Sequence, residues 1–255
     1  MDNQPANGIT RITLLKVPLD IIPESAIASL ALSFAATAGQ KSIVFLTFRT
    51  LMKANRDPEL LSYLKSAALI VPVSKSLELA CRFLKLPQPV RHYPFDFCVR
   101  LLGTLEEKRH TVYLLGENHN GLQTVAGTMR STFPGLTLVG RHSGFYGRES
   151  ENLILTAIQK ATPTVLFLGP GIGGREKWIF RQGKGLPVRI AVYSEDSFAI
   201  MAGRKKRPNR PSFRKGTHEM TRTIVNPLRM ARLANYLWFG VLLLVYRLKR
   251  TTPSS

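Results

Sequence analysis

The feature that most constrains this chain is a series of short, apolar, β-rich runs that alternate with stretches of helical periodicity. Val165, Leu166, Phe167 and Leu168 follow one another without a polar residue. A strand with one face in water alternates apolar and polar side chains, so an uninterrupted run requires cover on both faces. Comparable runs occur at 12–17, 42–47, 69–73, 111–116, 136–140 and 188–192, with helical patterns at 24–38, 50–66, 76–86, 121–131, 149–160 and 176–182. Strands that alternate with helices are joined by crossovers, which make neighbouring strands parallel. The expectation is an α/β, Rossmann-like body: a mostly parallel sheet with helices on both faces. Of the 255 residues 44% are hydrophobic, ample for a buried core, which excludes disorder along the whole chain. There is no internal repeat and no long low-complexity segment.

The charge is unevenly placed. From Arg204 onward there are 13 Lys and Arg against a single acidic residue, Glu219, so this stretch carries +12 of the net +20. The predicted division is an α/β domain over 1–203 and a basic, helical C-terminal appendage over 204–255. Residues 204–216, with Pro208, Pro211 and six Arg and Lys after Arg204, read as a mobile basic connector. Residues 233–246 are apolar apart from Asn235 and include Tyr236, Trp238 and Phe239, with Arg247, Lys249 and Arg250 beyond them. This is short for a transmembrane helix and suits an interfacial segment on an anionic membrane surface. The bland alternative is a core helix ending in solvated charge. Cys81 and Cys98 read as reduced, buried thiols. The polar first eight residues lack the pattern of an export signal, so the expected location is cytoplasmic, peripheral on the inner face of the cell membrane.

Open parallel sheets bind ligands at the carboxyl ends of their strands, where glycine lets the backbone approach phosphate and helix N-termini favour anions. Three strand ends qualify. Gly116 precedes Glu117, Asn118, His119, Asn120 and Gly121; Gly169, Pro170, Gly171, Ile172, Gly173 and Gly174 follow the next buried strand; Gly140 to Gly147 contains Gly144. Tight turns use the same residues, and neither of the first two loops is a P-loop or a strict dinucleotide fingerprint. The five histidines show no metal spacing and read as surface or turn residues.

The ordered set of these features resembles the WecB/TagA/CpsF (WecG/TagA) bacterial glycosyltransferases, with this chain a divergent member. The resemblance runs from about Ser42 to about Arg232. It rests on Val112 to Gly116, on Phe133, Pro134, Gly135 and Leu136 with Gly144, Phe145 and Tyr146, and on Gly169, Pro170 and Gly171 with Glu176, Lys177 and Trp178. Later matches are Phe198, Ala202, Gly203, Lys206, Arg207, Pro208, Glu219, Arg222, Pro227, Arg229 and Arg232. It implies transfer of an N-acetylhexosamine, typically N-acetylmannosamine, from a UDP-sugar donor to a lipid-linked saccharide acceptor in cell-wall or surface-polysaccharide assembly. It implies no cofactor and no metal, and a basic C-terminal part that closes over the active site.

Several family positions are replaced. The family's Thr-x-Asn keeps Thr47 but has Arg49; its Asp-Gly pair, whose aspartate is the proposed base, is Val73 and Ser74 here. Its Pro-Lys-Gln-Glu is Gly173, Gly174, Arg175 and Glu176, and its Phe-Asp is Phe198 and Ala199. Its Arg-x-x-Gly-x-Asp is met by Arg91 and Asp96, with Pro94 for the glycine. The resemblance therefore implies Asp96 as the surviving carboxylate and Thr47 beside it for catalysis. Gly116, Gly144, Gly169, Gly171 and Glu176 would line the donor pocket, and Arg222, Arg229 and Arg232 would neutralise a pyrophosphate. Two alternatives stay open: an inactive family member acting as a scaffold or regulator of polysaccharide assembly, and a nucleic-acid-binding protein. The apolar run beside the basic tail makes a bilayer a better partner than nucleic acid.

Overall fold

The computed structural model describes residues 8–174, 177–216 and 230–251; within these, the side chains at 184, 230–235 and 249–251 are not described. Six strands, β3 (Lys41–Leu46), β4 (Leu69–Pro72), β5 (Thr111–Leu115), β6 (Thr137–His142), β7 (Val165–Leu168) and β8 (Ile190–Tyr193), form one sheet in the order β4-β3-β8-β7-β5-β6. Every pairing in it is parallel. The expected fold class is thereby met.

The sheet divides the core in two, and the side chains of each strand alternate between the halves. Val44, Leu46, Tyr113, Leu115, Leu166 and Leu168 face one half, which is closed by α2 (Phe48–Ala54), α3 (Pro58–Ser66), α4 (Lys75–Phe83), α7 (Arg148–Ala161) and α8 (Lys177–Gln182). Ile43, Val112, Leu114, Val165, Phe167 and Val192 face the other half, beneath α1 (Ala26–Ala36), α5 (Pro94–Glu106), α6 (His119–Thr132) and α9 (Glu195–Met201). This period-two division of apolar runs is what cover on both faces demands.

Local chemistry sets the boundaries. The single helix expected over 50–66 is two, because Asp57 accepts from the Leu60 amide as an N-cap and Pro58 opens α3. The strand expected at 12–17 is a hairpin, β1 (Thr10–Leu14) and β2 (Val17–Ile21), turning through Leu15 and Lys16, both at positive φ. Asp20, buried on β2, accepts from Arg11 at 2.7 and 2.8 Å and from the Ile70 amide at 2.6 Å, which ties the hairpin to the β4 edge.

The basic connector is docked on the body rather than mobile. It contains α10 (Arg210–Lys215), and Arg91 donates to the Phe213 and Arg214 carbonyls at 2.9 and 2.8 Å while stacking on the Phe213 ring. Beyond it, α11 (Met230–Thr251) buries Phe239 and Leu243 in the same half-core as α3 and α4, and Tyr236 stacks on Phe48 at 4.3 Å. Its other face leaves Leu237, Val241, Leu244 and Leu248 exposed, at spacings of four, three and four. Among the described residues, no helix is long and apolar enough to cross a membrane.

Candidate active site

Two neighbouring strands send their connections in opposite directions: β5 leads outward to β6, β7 leads inward to β8. Such a switch point opens a crevice at the carboxyl ends of the two strands. Its walls are the predicted glycines. Gly116 has φ +151°, and a Cβ there would come within 2.6 Å of the Gly169 backbone. Gly171, at φ +96°, passes so close to the Phe145 ring that a Cβ would lie 2.7 Å from it. Backbone bonds lock the loops together: Gly169 to Leu115 at 2.8 Å, Gly144 to Glu117 at 2.9 Å and Glu117 to Pro170 at 2.6 Å. The fold thus gathers Gly116, Gly144, Gly169 and Gly171 in one place, Gly116 and Gly144 packed against backbone and Gly169 and Gly171 against the Phe198 and Phe145 rings.

Glu117, given no role of its own in the sequence reading of this loop, sits in this crevice. Its backbone is left-handed, at φ 65°, its side chain is buried, and it pairs with Arg204 from the connector. A charged residue directly after a buried strand and a glycine is the signal that would have pointed to it. Asn118 then caps α6, accepting from the Gly121 amide at 2.8 Å.

A second site lies at the other end of the sheet, where a cleft of about 1110 Å³ opens between α4, the start of α5 and the connector. Asp96, in the first turn of α5, lines it; Arg207 approaches its Oδ1 at 2.7 Å, and its side chain is 28% exposed. Arg91, nearly buried, bonds Glu78 at 3.1 Å and the Val73 carbonyl at 3.2 Å, joining the cleft wall to the end of β4. Thr47 caps α2, accepting from the Thr50 amide at 3.1 Å, so its hydroxyl is engaged within the turn. Next to it Ser74 accepts from the Phe48 amide at 3.1 Å. Val73 itself is buried.

The connector links both sites. Arg204 pairs with Glu117 at the crevice, Lys205 with Asp196 at the start of α9, and Arg207 with Asp96 in the cleft. On the far side of the glycine loop, α8 is held by charge. Lys177 reaches Asp57 at 3.1 Å and Glu59 at 2.8 Å, and Arg181 grips Glu59 with two bonds of 2.5 and 2.8 Å. Hydrogen bonds from Arg181 and then Lys177 bring the Glu59 carboxyl down to about 2.

Glu176, Arg222 and Arg229 lie outside the described residues; Arg232 is in α11, and its side chain too lies outside them. Among the described residues no group of three or more His, Cys, Asp or Glu could hold a metal ion. His92 is neither a surface nor a turn residue: it is buried, with Nε2 2.8 Å from the Ile22 carbonyl, and burial lowers its pKa.

Fold and site together define a doubly wound α/β protein with a glycine-lined crevice at its switch point and a basic cleft at one sheet edge. The chain belongs to the glycosyl transferase WecG/TagA/CpsF family, whose sequence profile matches residues 12–253. It is similar to the N-acetylglucosaminyldiphosphoundecaprenol N-acetyl-beta-D-mannosaminyltransferase of Bacillus subtilis (strain 168). The two are 23% identical over 180 residues, covering 71% of this chain and 70% of the relative.

Proposed function

We propose that the protein transfers an N-acetylhexosamine, of the N-acetylmannosamine type, from a UDP-sugar to a lipid-linked saccharide acceptor in cell-wall or surface-polysaccharide assembly, at the inner face of the cell membrane. The observation that carries this reading is the pairing of a glycine crevice at the switch point with a cation-rich cleft holding Asp96, within a chain of this family. The crevice offers close backbone approach to the nucleotide, with Gly116, Gly144, Gly169 and Gly171 as its walls. Asp96 is the base that takes the acceptor hydroxyl proton, with the Arg207 guanidinium 2.7 Å from its Oδ1. Basic side chains disperse the charge that develops on the departing UDP. Thr47 contributes by fixing the start of α2, where the Phe48 amide donates to Ser74.

The exposed stripe of α11, with Arg247 and the basic residues after it, fits a membrane surface on which that helix lies flat while its inner face stays docked. The loss of the family aspartate at Val73 favours a second reading, a scaffold that binds donor without turnover. The test is the Asp96→Asn variant assayed for both functions. Loss of a general base lowers turnover by on the order of 10²–10⁴-fold while UDP-sugar affinity stays near wild type. Turnover unchanged in Asp96→Asn removes that residue from the base role; donor binding without turnover in wild type, with turnover gained by Val73→Asp, establishes the scaffold reading.

A further inference from the structure

Outside α11, six large apolar side chains stand exposed among the described residues, and three of them, Leu79, Phe83 and Val90, fall within residues 79–90. The source of this clustering is α4. It buries Leu77, Ala80 and Cys81 against the core, while Leu79, 50% exposed, and Phe83, 37% exposed and one turn later, form a second apolar face on its outer side. A helix with water on its outer side carries polar residues there, so two apolar faces on one short helix mark a surface that something else covers. The next segment continues it. The Leu86 amide donates to the Cys81 carbonyl at 2.8 Å, which folds the chain back on α4, and Pro87 and Val90 are exposed beyond.

Helix α11 meets this face from the side. Arg247 lies over the Phe83 ring at 4.9 Å, on the flank of the exposed stripe, three residues after Leu244 and one before Leu248. A helix with its side chains is roughly 10–12 Å across, and one lying on a bilayer sinks roughly 5–10 Å into the headgroup boundary. That depth carries the flank of α11, and Phe83 with it, to the headgroups. The charges there suit an anionic surface. Arg82 is 67% exposed, and Lys85 and Arg247 are exposed too. Glu78, the one acidic residue of α4, is shared by Lys75, Arg91 and, at 3.7 Å, Arg82. A second copy of the chain is the poorer occupant, because a two-fold interface sets these cations against their own copies.

We infer that the outer face of α4 and the segment through Val90 form, with the exposed stripe of α11, one contact surface for an anionic bilayer, so that the α/β body itself touches lipid. The inference rests on the reading of α11 above as a helix lying on a membrane, and adds the body's own share of the contact. Apolar burial of Leu79 and Phe83 supplies a part that salt does not screen, and the cations around them supply a part that it does. Two contacts fix an orientation where one helix leaves the body free to swing. Val90 also lines the cleft, so the orientation sets the cleft rim against the headgroups.

The test places a polarity-sensitive nitrobenzoxadiazole label on the full chain through Leu79→Cys, Leu244→Cys or Leu32→Cys; Leu32 is exposed on α1, across the sheet. Cys81 and Cys98, both buried, do not compete for the label. With vesicles of phosphatidylglycerol and phosphatidylcholine, the labels at positions 79 and 244 should shift to the blue and the label at position 32 should not. Unlabelled Leu79→Gln, with the thermal transition of wild type, should bind these vesicles about 5-fold more weakly in flotation, and Leu32→Gln should bind as wild type does. A shift at 244 without one at 79 overturns the inference and leaves the reading of α11 intact. Equal shifts at 79 and 32, or unchanged binding by Leu79→Gln, overturn it too, as does a dimer in sedimentation that Leu79→Gln dissolves. A shift at 79 without one at 244 keeps the contact on α4 and removes the reading of α11 instead, and silence at both removes the two together.

Discussion

Asp20 accepts hydrogen bonds from Arg11 and the Ile70 amide while buried against the sheet edge. Removing its carboxylate leaves a guanidinium and a backbone amide without their partner, so Asp20→Ala should lower stability by about 2–4 kcal/mol in denaturant titration. A loss below about 1 kcal/mol would mean water replaces those bonds at no cost. The two thiols are governed by burial. It pushes Cys98 up to about 12 and Cys81 up to about 11 from an ordinary 9.0, so neither supplies thiolate near neutral pH. Labelling of the native protein should therefore proceed only at the rate of unfolding; a fast phase would expose one of them. Both thiols were legible as buried from their apolar neighbours. Asp96 was legible as a polar residue at a family position, whereas its pairing with Arg207 was not, because the contact joins segments more than a hundred residues apart. Glu117 escaped for a related reason: its burial depends on the approach of the β7 loop and of Arg204.

At the scale of elements, the buried parallel strands were readable because a run with no polar residue has few other uses. The β1–β2 hairpin was not, since its turn carries Leu15 and Lys16 at φ 47° and 70° instead of the Asn-Gly or Gly-Gly that such turns favour. Lys16 is exposed and has no described contact to lose, so Lys16→Gly should raise stability by about 0.5–1 kcal/mol; a decrease would mean the turn is not left-handed in solution. Helix α5 was read only as a helix-like stretch around Cys98, without bounds, although Phe97, Cys98, Leu101, Leu102 and Leu105 recur at helical spacing. The cluster between α3 and α8 makes a pH prediction. The Glu59 carboxyl falls from 4.5 to about 2, and that of Asp57 is also lowered, first by the Leu60 amide. Groups with depressed folded values contribute stability that is complete above the unfolded value and is lost as pH falls through the folded one. Protection of the α8 amides, taken relative to the intrinsic exchange rate at each pH, should fall between about pH 4.5 and about 2, and Glu59→Gln should reduce that dependence to the part that Asp57 carries. A pH-independent α8 in wild type would contradict the role given to the ion pairs.

For the whole molecule, the division at residue 203 is a proposal with a direct test. A fragment of residues 1–203 should unfold cooperatively, at a lower temperature than the full chain, because Phe239, Leu243 and the connector's ion pairs are lost from the body. A molten fragment would show that α11 completes the core. Membrane association should have two parts. Basic residues near an anionic surface contribute roughly 1 kcal/mol each and weaken with salt, while burial of Leu237, Val241, Leu244 and Leu248 does not. Vesicle flotation should therefore fall in high salt without vanishing, and equal flotation with neutral vesicles would contradict the electrostatic part. The central claim is transfer of a sugar to a lipid carrier, and the mass of the product tests it most directly. After incubation with a panel of UDP-sugars and a lipid-linked saccharide acceptor, the acceptor should gain one N-acetylhexosamine residue, from a UDP-N-acetylmannosamine-type donor. An acceptor of unchanged mass with every donor, in a protein that still binds UDP-sugar, would contradict the account.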